Sequence, residues 1–332
     1  MGLAGSHVLV GQTALNNISS HAICNVWYGF IILVASILMS YNREWHKLWW
    51  MSFVSITAIF AASIITMAAT GQQSPKVLET PKGGPIEWRA FPKDPSLMDV
   101  IGGFTNVLFA YGGNMAVFSF CSEMKKPNDF KKSFGLSQLI ATISYIIVGS
   151  VIYVFGGQYT TSPALTMTST PVRITAYSIA LVTIMVSGIL GANVGAKYIY
   201  VTTLRGSKLL TSTSWKAQFT WIGMVSLVWV VGFIFSELIP FFNPILTIIS
   251  ALFSVWFICG GPAMLWFYDV SPWFAKPGEQ RDLQGFKKKF FFAASILALL
   301  VSIAVTPLGL YSAIQSIIDG YRKGTFSHPF AC

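Results

Sequence analysis

The sequence predicts an all-α integral membrane protein. Its 332 residues are 54% hydrophobic and only 10% charged, whereas about 25% of the residues in a soluble domain are charged. Several apolar runs are long enough to cross a hydrocarbon core of about 30 Å, which requires about 20 residues of helix. These runs are continuous and do not alternate over about ten residues, so a membrane β-barrel is disfavoured.

Eight runs have the length of full spanning helices, and short segments connect them. In chain order they are residues 22–40, 48–70, 97–120, 133–155, 174–202, 215–238, 241–268 and 290–318. We interpret residues 1–332 as a single polytopic membrane domain, with spans 1–3 in residues 22–120, spans 4–8 in residues 133–318 and a tail in residues 319–332.

Residues 1–21 precede the first full span. The stretch 3–17 is apolar and rich in small residues, but it is too short to cross a bilayer. It also lacks the basic leading segment of a secretory signal. Two interpretations stay open: the outer part of a helix, or a segment that lies in the membrane interface.

The placement of lysine and arginine predicts the orientation. Loops 41–47, 121–132, 203–214 and 269–289 hold 13 of these residues, and the segments on the opposite side hold seven. Because cytoplasmic loops carry the excess of positive charge, the first set is predicted to face the cytoplasm. The net charge of +10 therefore indicates orientation and contact with anionic lipid. A nucleic-acid partner is not expected, because the sequence shows no basic stripe.

The sequence contains no motif that would indicate an enzyme. Its four histidines are scattered, and it has no HExxH, GxSxG or Walker lysine loop. The four cysteines show no CxxC spacing, so neither a metal site nor a disulfide framework is expected. We therefore expect a protein that is not an enzyme and that has no cofactor.

The run 97–120 carries Tyr111, Gly112, Gly113 and Asn114 at its centre. Two glycines lower helix propensity and allow close approach to the main chain. One interpretation is a close contact between helices, joined by an Asn hydrogen bond. The other is an unwound segment whose main-chain groups bind a zwitterion, because broken membrane helices persist where they line a cavity or are buried in protein.

The residues after this break carry a longer pattern. The run is FAYGGNMAVFSFCSEMKKPNDFKKS, in which a Glu-Met-Lys-x-Pro-x-x-Phe segment comprises Glu123, Met124, Lys125, Pro127 and Phe130. It resembles the amino acid/auxin permease family, especially its fungal neutral amino acid members. The resemblance implies a leucine-transporter-type bundle of inverted repeats. It also implies secondary transport of amino acids, neutral or aromatic, by alternating access, in the plasma or vacuolar membrane, with the bilayer and an amino acid as partners.

The resemblance also implies roles for particular residues. It places the run 97–120 at the family's sixth helix and 174–202 at the eighth. The implied substrate-binding residues are Phe109, Ala110, Tyr111, Gly112, Gly113 and Asn114. The implied cation or coupling candidates on the later helix are Ser187 and Asn193, with H+ or Na+ as the coupling ion.

The alignment leaves the family's first two helices without a counterpart, so the chain is interpreted as an N-terminally truncated member with a partial helix before its eight spans. The alternative function is a non-transporting membrane protein that binds or assembles with a partner. The retained spans offer almost no titratable group for proton coupling, and Glu237 and Glu123 are the end-of-span candidates. Gly260-Gly261-Pro262 predicts either a gating hinge or a static kink.

Overall fold

The computed structural model describes residues 1–43, 49–72, 86–91, 95–210, 212–239, 241–271, 285–323 and 330. Within these residues the secondary structure is helical and includes no strand. The α-helices are α1 Gly2–Ile18, α2 Asn25–Met39, α3 Trp49–Gln72, α4 Leu97–Ala110, α5 Val117–Glu123, α6 Phe130–Gly156, α7 Thr170–Thr203, α8 Trp215–Leu238, α9 Phe242–Ile249, α10 Gly261–Val270 and α11 Phe286–Arg322. A 3₁₀ helix covers Gly112–Ala116, and π-helical turns cover Ser250–Ser254 and Trp256–Gly260.

Each of the eight predicted runs contains helix. Six helical stretches of the described chain are long and apolar enough to cross a membrane. The stretches are Trp49–Gln72, Pro127–Tyr159, Thr170–Thr203, Trp215–Leu238, Phe242–Val270 and Phe286–Arg322. The other two runs hold shorter apolar helices, α2 with 15 residues and α4 with 14.

The helices group into two compact units. In the first, α1 contacts α2, α7 and α8, and α3 contacts α6 and α7. Ala4, Val8 and Ala14 of α1 are fully buried in this unit. The segment 3–17 is therefore part of a helix that packs inside this unit.

Two glycines allow α1 and α8 to approach closely. A Cβ atom on Gly5 would lie 2.8 Å from the carbonyl oxygen of Gly232, and a Cβ on Gly232 would lie 2.9 Å from the nitrogen of Gly5. Real Cβ contacts are almost never this short. The main chains of the two helices meet at these glycines, as small residues permit in membrane bundles.

The small residues Gly188, Gly191, Ala192 and Gly195 in the run 174–202 predict close packing against a neighbouring helix. A Cβ on Gly188 would lie 3.0 Å from the His7 side chain, a Cβ on Gly191 would lie 2.6 Å from that of Leu3, and Ala192 is buried. The packing prediction is confirmed at these three positions. It was wrong for Gly195, whose Cβ would meet nothing within 4 Å among the residues described.

The surface of α6 is largely apolar. Its exposed side chains include Leu136, Leu139, Ile143 and Ile146. Since water would penalise such a surface, these residues are suited to contact with lipid chains.

Cys24 precedes α2 and is disulfide-bonded. Cys121 and Cys259 are free thiols. The spacing of the cysteines did not reveal this bond, because distant cysteines that pair have no characteristic spacing. Structural disulfides persist in oxidising compartments, which agrees with the predicted outer position of the loop before α2.

The second unit is built around α4, α10, α11 and the π-helical turns. Leu108, Val255 and Val305 form its buried apolar cluster. The Ser312 hydroxyl of α11 donates to the Met98 carbonyl oxygen of α4 at 3.1 Å. These contacts hold α4 at a defined position up to the point where it ends.

Candidate functional site

The helix break lies where the glycine pair predicts it. Helix α4 ends at Ala110, the 3₁₀ helix follows at Gly112–Ala116, and α5 begins at Val117. The unwound segment predicted from the sequence comprises Phe109–Asn114. The structure corrects that boundary, since Phe109 and Ala110 form the last turn of α4, and the main chain after them tightens rather than unwinds.

Successive i→i−3 hydrogen bonds produce this tightening. The N–H of Tyr111 donates to Leu108 O at 3.2 Å, that of Asn114 donates to Tyr111 O at 3.1 Å, and that of Val117 donates to Asn114 O. A 3₁₀ turn replaces the i→i−4 bonds of an α-helix, and short 3₁₀ stretches within a helix often mark functional hinges. The main chain at the break is therefore ordered and irregular.

The surroundings of Gly113 distinguish the two interpretations of the glycine pair. Gly112 is buried, whereas Gly113 is exposed and a Cβ on it would meet no described residue within 4 Å. A tight helix contact would place a neighbour at that distance. Close packing therefore does not explain Gly113, and the open space leaves its main chain approachable.

The 3₁₀ helix packs against the two π-helical turns of the same unit. Ser250 and Ser254 are completely buried there, and their hydroxyl oxygens have no hydrogen-bond partner in the described chain. Trp256 donates its indole N–H to Thr306 Oγ1 at 3.1 Å. The irregular part of one helix thus lies against the irregular part of another, and π-helical turns frequently occur at functional sites.

The sequence held one signal for the π-helical turns. Pro262 lies in the first turn of α10 and has no N–H to donate to the preceding helix. The π-helical stretch ends at Gly260, where a Cβ would lie 2.5 Å from the Trp256 ring. The Gly-Gly-Pro motif therefore marks a change from π-helix to α-helix. The sequence predicted an irregularity at this point, as a hinge or a kink, but not its type.

A polar cavity of about 520 Å³ borders α4, α9 and α11 in the second unit. Its lining includes the polar side chains Asp99, Asn106, Asn243, Thr247, Ser312 and Asp319. Asn106 precedes Tyr111 by five residues, which is about 7.5 Å along a helix. Sequence reasoning missed this cavity, because its polar residues come from three distant segments.

The structure does not bring the two coupling candidates on α7 together. Ser187 is exposed, while Asn193 is buried and donates its side-chain N–H to Asn42 O at 3.3 Å. Six residues of α-helix separate them by about 240°, so they lie on different faces. Among the described residues, no group of three or more His, Cys, Asp or Glu side chains is arranged to hold a metal ion.

The motif after the break connects α5 to α6. Glu123 is the last residue of α5, Pro127 opens a short 3₁₀ turn, and Phe130 is the first residue of α6. The side chain of Glu123, one of the two end-of-span candidates, lies outside the described part of the structure.

Comparison with known proteins gives one family. Residues 1–308 match the model of the family described as transmembrane amino acid transporter protein. The chain is 30% identical to the "N amino acid transport system protein" of Neurospora crassa, over 99% of this chain and 69% of the relative. It is 26% identical to a "Transmembrane transporter" of Fusarium pseudograminearum and 25% identical to one of Gibberella moniliformis, over 99% of this chain and 70% and 68% of theirs. No solved structure matches the chain.

Proposed function

We propose, on the premise that this chain belongs to the transmembrane amino acid transporter family, that it carries neutral or aromatic amino acids by alternating access. Family membership supports an integral membrane protein that transports amino acids and is not an enzyme. The substrate class, the coupling to a proton or sodium gradient, the inverted-repeat arrangement and the plasma or vacuolar membrane are parts of the proposal.

The break between α4 and α5 carries the proposal. An amino acid needs a partner for its ammonium and another for its carboxylate, and main-chain groups at a helix break supply both kinds. The C-terminal end of α4 bears partial negative charge, which suits an ammonium group. Gly113 has no Cβ atom, and no side chain in the described part of the chain lies within 4 Å of where one would be, so a ligand can approach the main chain.

The preference for neutral or aromatic substrates rests on the neighbouring side chains. Phe109 and Tyr111 flank the break and are both partly exposed. Aromatic rings pair favourably with other rings in stacked or edge-to-face geometry. We assign Phe109, Ala110, Tyr111, Gly112, Gly113 and Asn114 to the substrate site, and Ser187 and Asn193 stay candidate coupling residues.

Uptake of labelled amino acids into permease-deficient cells tests the proposal. The panel contains aromatic, aliphatic, acidic and basic amino acids, and Gly113→Leu is compared with the unchanged chain. A Cβ atom at position 113 would meet none of the described residues within 4 Å, and Gly113 has no positive φ, so the main chain accepts a side chain there. We expect uptake by Gly113→Leu to fall at least tenfold at equal amounts of membrane protein.

Gly149→Leu is the matched control, because Gly149 on α6 is also exposed and also meets nothing within 4 Å. It should transport as the unchanged chain does. Undiminished uptake by Gly113→Leu would remove the break from the substrate site. Stable protein without uptake of any amino acid would favour the non-transporting alternative.

A further inference from the structure

A carboxyl group lies buried near the end of α8, in the first unit. Glu237 is 2% exposed, and Gln12 of α1 is 1% exposed. The Gln12 side chain and the Glu237 carboxyl border the same point beside Gly29. Two polar side chains from different helices therefore meet inside the unit, away from solvent.

Gly29 of α2 borders this pair on a third side. A Cβ on Gly29 would lie 2.9 Å from Glu237 Oε1, 3.2 Å from Gln12 Oε1 and 3.0 Å from the Phe233 ring. Both oxygens therefore face the same small space, which exists because residue 29 has no side chain. Three helices contribute to one enclosed polar site.

The two oxygens that face this space lack donors. Neither Glu237 Oε1 nor Gln12 Oε1 has a hydrogen-bond partner in the described chain. Within the same residues, no Lys, Arg or His nitrogen lies within 4.0 Å of the Glu237 carboxyl. An ionised carboxylate that is enclosed beside an amide, with no cation next to it in the described chain, is strongly disfavoured.

The elements packed against α8 carry further charged and titratable groups. On α1, His7 bonds to Leu3 O and lies beside Gly188. On α2, the Tyr28 hydroxyl pairs with Ser19. Arg173 and Tyr177 occupy the first turns of α7, and Lys197, Lys208 and Lys216 belong to the segments near the opposite end of α8.

A proton resolves this arrangement. On a carboxylic acid it supplies the O–H donor that the Gln12 oxygen lacks, and the amide N–H can donate to the carboxylate when the proton has left. Gln12 is thus equipped to pair with both protonation states. Such a partner suits a group that gains and loses a proton, more than one that keeps a fixed charge.

We propose that Glu237, with Gln12 as its positioning residue and Gly29 providing the space, is the site that binds the coupling proton. The proposal rests on the proposed transport function. The carboxylate takes a proton from the outer solution and becomes a neutral acid in the enclosed conformation. It releases the same proton after the site opens towards the cytoplasm, so one proton crosses per cycle.

Infrared spectroscopy tests the binding site without any transport. The full chain is reconstituted in lipid, and spectra are recorded over a pH series for the unchanged protein, Glu237→Gln and Glu87→Gln. Glu87 is the control carboxyl, since its side chain is 58% exposed and paired with Arg89. We expect a carbonyl band of a protonated acid near neutral pH that only Glu237→Gln lacks. Its absence from the unchanged protein would overturn the proposal.

Proteoliposome transport then tests coupling. Two rates are measured for the same amino acid: concentrative uptake driven by an imposed pH gradient, and counterflow. We expect the ratio of uptake to counterflow to fall at least tenfold in Glu237→Gln and to be unchanged in Glu87→Gln. An unchanged ratio in Glu237→Gln, or accumulation that follows a sodium gradient and ignores the pH gradient, would overturn the proposal. Absence of counterflow in the unchanged chain contradicts transport itself, and the infrared result still decides Glu237.

Discussion

The hydroxyl oxygen of Ser40, at the C-terminal end of α2, accepts the indole N–H of Trp229 from α8 at 3.1 Å. Both residues are buried. The Ser40 hydroxyl also donates to Ser36 O at 2.7 Å, and its carbonyl oxygen accepts the indole N–H of Trp221 at 3.3 Å. One serine therefore satisfies the indoles of two tryptophans and ties α2 to α8.

Replacing Ser40 by Ala should destabilise the protein. The substitution leaves the buried Trp229 N–H without an acceptor, which costs about 1–3 kcal/mol. We expect a lower midpoint of thermal unfolding in detergent. Ser144→Ala on α6 is the control, because that exposed hydroxyl bonds only to its own helix at Ile140 O. Equal midpoints for the two variants would show that the Trp229 bond contributes nothing.

Alanine at Gly5 and alanine at Gly195 should have opposite effects on stability. The Cβ at position 5 would lie 2.8 Å from the Gly232 carbonyl oxygen, and overpacking of this kind costs about 1–3 kcal/mol. At Gly195 the Cβ meets open space, and replacing a helical Gly by Ala gains roughly 0.5–1 kcal/mol. Thermal unfolding of both variants tests this difference, and a stabilised Gly5→Ala would contradict the close contact of α1 and α8.

Removing the acceptor of Trp256 should weaken the second unit. Thr306→Val keeps the side-chain shape but removes the hydroxyl at 3.1 Å from the indole nitrogen, at an expected cost of about 1 kcal/mol. The matched control is Thr57→Val on α3, where the exposed hydroxyl bonds to Phe53 O. Fluorescence-detected unfolding compares the two, and an identical effect would mean that the Trp256 bond does not stabilise the π-helical stretch.

Thiol labelling should separate the cysteines. Cys121 and Cys259 are free and partly exposed, whereas Cys24 is disulfide-bonded. After denaturation without a reductant, we expect an alkylating reagent to modify Cys121 and Cys259 and to leave Cys24 unmodified until reduction. Peptide mass spectrometry reads this out, and full labelling of Cys24 before reduction would contradict the bond.

The sequence predicted the helical runs well because the signal is local. A run such as 133–155 is apolar along its whole length, and the structure places α6 at Phe130–Gly156. The break was equally local, since Gly112 and Gly113 are weak helix formers wherever they occur. The structure moved its start by two residues, because Phe109 and Ala110 still complete the last turn of α4.

The sequence did not predict which helices contact one another. The sequence marks Glu237 as a rare carboxyl near the end of a span. The residues around it in sequence do not predict Gln12 or Gly29 as its neighbours. The same holds for Gly195, which has the local pattern of a packing residue and faces open space. Which faces of helices meet depends on tertiary packing, and helical periodicity is weak when nearly every residue of a span is apolar.

The change of helix type at Gly112–Ala116 also turns the chain about its axis. A 3₁₀ helix advances 120° per residue against 100° in an α-helix, so its five residues turn the chain by about 100° more than five α-helical residues would. The stripe of α4 that borders the polar cavity therefore does not continue along the 3₁₀ helix. The side chains of the 3₁₀ helix are spread around its axis in a different order from those of α4.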